Sequence, residues 1–205
     1  MNPGSFDFFF DFTSPYSYLA AERIDELAAR HGFAANWKPI LLGAIFKQTG
    51  GIPLTSLHPW KARYSVMDFG RSAQFLGLTY RHPSRFPQAT QNAARAMIWL
   101  QRHAPDRARP FALEVFRTIF VHDGDVSDAA TLARIAQSVG LDAAALAAAT
   151  QDAAIKQQLF DHNDEAAQRE VFGTPTFVLD DGERFWGVDR LPQLEARLRE
   201  RAAAR

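Results

Sequence analysis

The chain has 205 residues, 23 Lys and Arg against 23 Asp and Glu, 47% hydrophobic and 12% aromatic residues, and no cysteine. A chain of this length buries a core without disulfides or a structural metal, and zero net charge withholds the broad attraction that holds nucleic acid or an anionic membrane. The missing cysteines exclude a disulfide scaffold, a Cys-ligated zinc site, a thiol nucleophile and a dithiol redox centre together.

Residues 5–12 form a short aromatic run between Gly4 and Thr13-Ser14-Pro15, the pattern of a buried strand. Asp7 and Asp11 interrupt its phenylalanines and no basic residue precedes them, so it does not read as a secretory signal. No window approaches the eighteen or so apolar residues of a membrane span, and a soluble cytoplasmic protein is expected. Ser14 then offers an N-cap and Pro15 a first helical position, and Leu19, Ile24, Leu27 and Ala28 recur at helical spacing up to His31-Gly32, which predicts one helix. A second strand is expected over 33–41, around Trp37 and Ile40. A helical crossover makes the two strands parallel.

From 43 to 168 no strand signal stands out. Pro53, Pro59, Pro83 and Pro87 mark a loop-rich stretch; Ala93, Met97 and Leu100, then Phe111, Val115 and Ile119, mark amphipathic helices. Another helix starts at Ser127-Asp128 and ends near Gly140, and an alanine-rich stretch from Asp142 leads into a helix through Ile155, Leu159 and Ala166. Strand signals return over 176–179 and 183–186, joined by the Asp181-Gly182 turn, and Leu191, Leu194 and Leu198 stripe a final helix. The expected fold is an α/β domain in two pieces, 1–42 and 169–205, around a helical insertion domain, 43–168.

Two motifs carry chemistry. Ser14-Pro15-Tyr16-Ser17 follows a buried strand and opens a helix, where unpaired N–H groups stabilise an anion. A thiol oxidoreductase places Cys-x-x-Cys there, whereas both positions here are serine, and ordinary capping explains these four residues taken alone. Gly173-Thr174-Pro175-Thr176 precedes the third strand. Taken alone its proline favours a trans bond; a cis bond would turn the N–H and C=O of Thr174 toward an extended peptide.

Together these motifs resemble the thioredoxin fold in its branch with a helical insertion, the DsbA type. The chain is most similar to the 2-hydroxychromene-2-carboxylate isomerase family and the related kappa-class glutathione transferases. The resemblance rests on residues 10–20 around Ser14, on Lys61-Ala62-Arg63-Tyr64 with Asp68 and Arg71, on 171–177 around Thr174, and on Trp186-Gly187-Val188-Asp189-Arg190-Leu191, in family order across the chain.

What the resemblance implies is glutathione binding: Ser14, followed by Pro15, at the sulfur, the Thr174 backbone before Pro175 pairing with the cysteinyl unit, Asp189 of the Asp189-Arg190 pair at the γ-glutamyl end, and Lys61 near the glycyl carboxylate. These positions supply the edge pairing, carboxylate and cation that a tripeptide-like anion bearing an ammonium group needs. The family's common asparagine in the loop at 49–53 is absent, with Gly51 there. The implied activity is glutathione-dependent isomerisation of a small aromatic electrophile in aromatic catabolism, by a cytoplasmic homodimer. The rivals are a kappa-like transferase or peroxidase and a non-catalytic binding module.

Other features read as structural. The six histidines show no metal-ligand spacing, no metal is expected, and Asp123-Gly124-Asp125-Val126-Ser127-Asp128 lacks the Gly and Glu of a calcium loop. Trp60, Tyr64, Phe69, Phe75 and Trp99 are expected mostly in the core, with a subset lining a substrate pocket.

Overall fold

A computed structural model describes residues 4–53, 56 and 58–204. Its sheet runs β2 (Phe33–Pro39), β1 (Gly4–Phe10), β3 (Thr176–Val178), β4 (Arg184–Trp186). β1 is parallel to β2, with Phe8 opposite Trp37, and antiparallel to β3, with Phe8 opposite Phe177; β3 and β4 are antiparallel. β1 is buried on both faces, which is why its phenylalanines run on instead of alternating with polar residues. Phe8 stacks on Phe177 and meets Trp37 edge-on, with ring centroids 5.4 and 5.1 Å away. On the opposite face Phe9 packs with Ile40, Ile45, Ala166, Val171 and Val178. Asp7 shares that second face, where Arg169 (2.5 Å), Lys38 (3.4 Å) and Asn36 (3.2 Å) compensate its charge.

The helices, in chain order, are α1 (Pro15–Ala21), α2 (Ile24–Arg30), α3 (Leu42–Thr49), α4 (Pro59–Phe75), α5 (Gln91–His103), α6 (Pro105–Phe120), α7 (Ala129–Ser138), α8 (Ala143–Gln151), α9 (Ala153–Gln168) and α10 (Leu191–Ala203); a 3-10 turn, Val188–Arg190, precedes α10. All strands among the described residues lie before α3 or after α9, the arrangement of a thioredoxin-like fold carrying a helical insertion. The insertion shares its core with the sheet: Phe10 and Phe12 pack on Phe116 of α6 at 5.7 and 4.8 Å.

Two expectations are corrected and a third is made more definite. The single helix from Ser14 to His31 is two, because Glu22 is gripped by both guanidinium arms of Arg117 (2.7 and 2.8 Å) and Arg23 donates to the Leu76 carbonyl (2.5 Å), which turns the chain between α1 and α2. The loop-rich stretch contains α3 and α4. Pro59 starts α4 rather than breaking structure, and only the narrow seam of Ser65, Phe69 and Ala73 is buried. The alanine-rich segment and its successor are separate helices: Asp152 ends α8 and caps α9, accepting from Ala154 N (2.7 Å) and Ile155 N (3.1 Å).

Candidate functional site

The end of β1 is fastened by Asp11, which is 3% exposed. One carboxylate oxygen accepts from Thr13 N (2.8 Å) and Thr90 Oγ1 (3.1 Å), the other from Leu42 N (2.6 Å), and its backbone carbonyl accepts from Ser14 N (3.0 Å). Burial pushes the Asp11 carboxyl above the ordinary carboxylate range, against the opposing pull of these hydrogen bonds. The turn that delivers Ser14 is thus tied to the starts of α3 and α5.

Ser14 caps α1, its Oγ accepting from Ser17 N (3.1 Å) and donating to the Thr174 carbonyl (3.2 Å). Thr174–Pro175 is cis. Ser14 and Thr174 are both 8% exposed, and the Thr174 N–H has no partner among the described residues. The hydroxyls of Ser17 and Thr174 are also buried and unpaired there. An unsatisfied buried donor is costly, and the Thr174 N–H, beside the carbonyl that Ser14 holds, is one that a ligand's polar group would satisfy.

The Pro175 carbonyl accepts from Gly187 N (2.9 Å), which draws the Val188–Arg190 turn alongside. Asp189 and Arg190 are exposed there and paired with each other at 3.3 Å. Gly187 has φ +107°, and a Cβ on it would run into Asp189 Oδ1. Pro15, Ser14, Thr174 and Pro175 therefore form one cluster, with Asp189 and Arg190 linked to it through Gly187. Lys61 stands apart, exposed in the first turn of α4, with no ion-pair partner among the described residues.

α4 is joined to the cluster by Tyr16. Its half-buried phenol donates to Asp68 Oδ2 (2.6 Å) and its ring meets Phe69 edge-on at 5.0 Å. Burial, then the bond to Asp68, then the charges of Tyr64 and Asp189 push the phenol well above its ordinary pKa. The rim is apolar. Phe172 and Trp186 are half exposed and edge-on at 4.8 Å; on α4, Trp60, Tyr64 and Met67 are exposed, with the Arg71 guanidinium 5.7 Å from the Tyr64 ring. Of the aromatics expected mostly in the core, Trp60, Tyr64 and Phe75 are thus exposed, while Phe69 is buried. Gly51 leaves no room for a side chain, since a Cβ there would run into the Phe46 ring.

Two cavities, of about 550 and 690 Å3, lie elsewhere: one beside Asp7 and Arg169, the other beside Trp37, Gln101 and Arg109. Among the described residues no cluster of His, Cys, Asp or Glu could hold a metal, and no helix is long and apolar enough to cross a membrane. Asp125 serves its loop by accepting from Ser127 N (3.0 Å), and Asp128 caps α7.

Sequence reasoning missed two parts of the site. The structural role of Asp11 was signalled only by an acid ending a buried aromatic strand, and the partnership of Tyr16 with Asp68, 52 positions apart, had no local signal.

A sequence model of the DSBA-like thioredoxin domain matches residues 6–199. The chain is 31% identical to a 2-hydroxychromene-2-carboxylate isomerase of Sphingobium xenophagum, over 94% of this chain and 96% of that one. It is 25% identical to glutathione S-transferase kappa 2 of Caenorhabditis elegans, over 91% and 88%. A solved 2-hydroxychromene-2-carboxylate isomerase structure superposes with a TM-score of 0.86 at 27% identity, covering 98% of this chain and 99% of the other. With a family model matched over nearly the whole chain and a relative at 31% identity, the chain belongs to the DSBA-like thioredoxin family and, within it, to the 2-hydroxychromene-2-carboxylate isomerase family.

Proposed function

We propose that the chain is a glutathione-dependent isomerase that interconverts 2-hydroxychromene-2-carboxylate and trans-o-hydroxybenzylidenepyruvate. The observation that carries this reading is the juxtaposition of the Ser14 hydroxyl with the Thr174 carbonyl, beside a Thr174 N–H left unpaired among the described residues.

Glutathione supplies the thiolate that adds to the activated double bond, permits rotation and leaves again. The chain's residues do the rest. Ser14 turns its hydroxyl from the Thr174 carbonyl to the sulfur and holds it ionised. Thr174, freed of that bond, uses its C=O and N–H to grip the cysteinyl unit as a short piece of β-pairing. Pro15 fixes the start of α1, Pro175 sets the Thr174 backbone, Asp189 holds the γ-glutamyl ammonium with Arg190 steadying it, and Lys61 attracts the glycyl carboxylate.

The reading includes a cytoplasmic location, a homodimer, for which the exposed Trp60, Met67 and Phe75 on α4 offer an apolar surface, and a division into a thioredoxin-like part, 1–42 with 169–205, and an insertion, 43–168. The match to a kappa transferase favours one second reading, conjugation of other electrophiles at the same sulfur. Calorimetry with glutathione, followed by isomerisation and aryl-halide conjugation assays on the same protein, tests both. Binding with isomerisation is expected; absence of binding overturns both readings, and conjugation without isomerisation selects the second.

A further inference from the structure

We propose that Tyr16, held by Asp68, is a catalytic residue for the second substrate: it carries the proton that must leave the substrate's hydroxyl when the cyclic hemiketal opens. The proposal rests on the isomerase reading and adds a group that handles oxygen to the one that handles sulfur.

The geometry is specific. Tyr16 lies two positions after Ser14 on the first turn of α1, and its single phenolic proton is committed to Asp68 Oδ2 at 2.6 Å. With that proton committed to α4, what the phenolic oxygen has left to offer a ligand is a lone pair. Its ring is fixed edge-on by Phe69, 5.0 Å away, while the side chain remains partly exposed. Asp68 and Tyr64 face it from α4 and Asp189 from the turn before α10; all three disfavour the phenolate. The phenol therefore stays protonated at neutral pH, so it can pass a proton on as it receives one without standing as a phenolate.

The cyclic substrate bears a hydroxyl, a carboxylate and the ring oxygen on one carbon. In ring opening the substrate O–H proton moves to the Tyr16 oxygen as the Tyr16 proton moves to Asp68. The released O–H electron pair forms the C=O bond, the bond from that carbon to the ring oxygen breaks, and its electron pair leaves on the ring oxygen as a phenoxide. Solvent protonates the phenoxide and takes the proton from Asp68, which restores the pair. Ring closure is the reverse. Tyr16 touches the reacting oxygen, and Asp68 is a positioning residue that acts through it. This step requires no thiol, so it is observable on the protein alone.

The test is stopped-flow absorbance of ring opening with 2-hydroxychromene-2-carboxylate and no glutathione, on wild type, Tyr16→Phe and Asp68→Asn, with glutathione affinity measured in parallel. Wild type is expected to accelerate opening, Tyr16→Phe to lose about a hundredfold of it, and Asp68→Asn to lose at least tenfold with an altered pH profile, both variants binding glutathione within about twofold of wild type. Opening by Tyr16→Phe at the wild-type rate overturns the proposal. A wild type that isomerises with glutathione yet does not accelerate opening without it also overturns the proposal and leaves the isomerase reading standing. A wild type that opens the ring but binds no glutathione overturns that reading instead.

Discussion

Ser14 Oγ lies 3.2 Å from the carbonyl oxygen of Thr174, 160 positions further along the chain. The same oxygen caps α1 by accepting from Ser17 N. Ser14→Ala is predicted to cost about 1 kcal/mol of stability through the lost cap. It should also raise the pH at which bound glutathione ionises, read from the ultraviolet absorbance of the thiolate. A variant with the reduced stability but an unchanged thiolate titration would leave Ser14 a structural cap only.

Gly187→Ala combines two faults. The residue holds φ +107°, where L side chains are strained, and its Cβ would displace Asp189. The expected result is a loss of about 1–3 kcal/mol in urea unfolding and weaker glutathione binding by calorimetry. Asp189→Asn separates the two, because it should weaken binding while keeping stability. Unaltered affinity in both variants would remove Asp189 from the site.

Asp11→Ala would leave Thr13 N, Leu42 N and Thr90 Oγ1 without their acceptor in a buried place. Each unsatisfied donor costs about 1–3 kcal/mol, so a large drop in the urea midpoint is expected, despite the relief of burying one charge fewer. A midpoint equal to wild type would mean that water replaces the carboxylate and that the turn before Ser14 is not fastened by it.

His162 gives a pH dependence. Burial pushes its pKa below the ordinary 6.5, outweighing the hydrogen bond of Nδ1 to the Pro39 carbonyl at 3.2 Å. Because the unfolded chain takes up this proton first, the contribution is fully present above about pH 6.5 and is lost as pH falls toward the folded value. Wild type should therefore lose more stability than His162→Asn between about pH 7.5 and 5.5. Parallel unfolding midpoints across that interval would refute it.

β1 was legible because Phe6, Phe8, Phe9 and Phe10 leave no polar face, and the β3–β4 hairpin because Gly182 takes the positive φ, +86°, that a turn glycine supplies. The break after Glu22 was not, because nothing local opposes a helix there; it is imposed by Arg117, 95 positions away. α4 was hidden for a different reason: its exposed face carries Trp60, Tyr64, Met67 and Phe75, which inverts the usual amphipathic pattern. In the site, local grammar suffices for Ser14 and Pro15 at a helix start. Their pairing with Thr174 was reached through family resemblance, and the Tyr16–Asp68 bond depends on how α4 packs against α1.

The break at Glu22 makes α1 a short beam supported at both ends. One support is Ser14 on Thr174, the other the fork of Arg117 on the capping residue Glu22. The span between them is only about 10 Å for seven residues, with no loop in between. α6, which carries Arg117, thus bears on α1 at the end opposite Ser14, while the Asp11 hydrogen bonds to Leu42 N and Thr90 Oγ1 fix the Ser14 end.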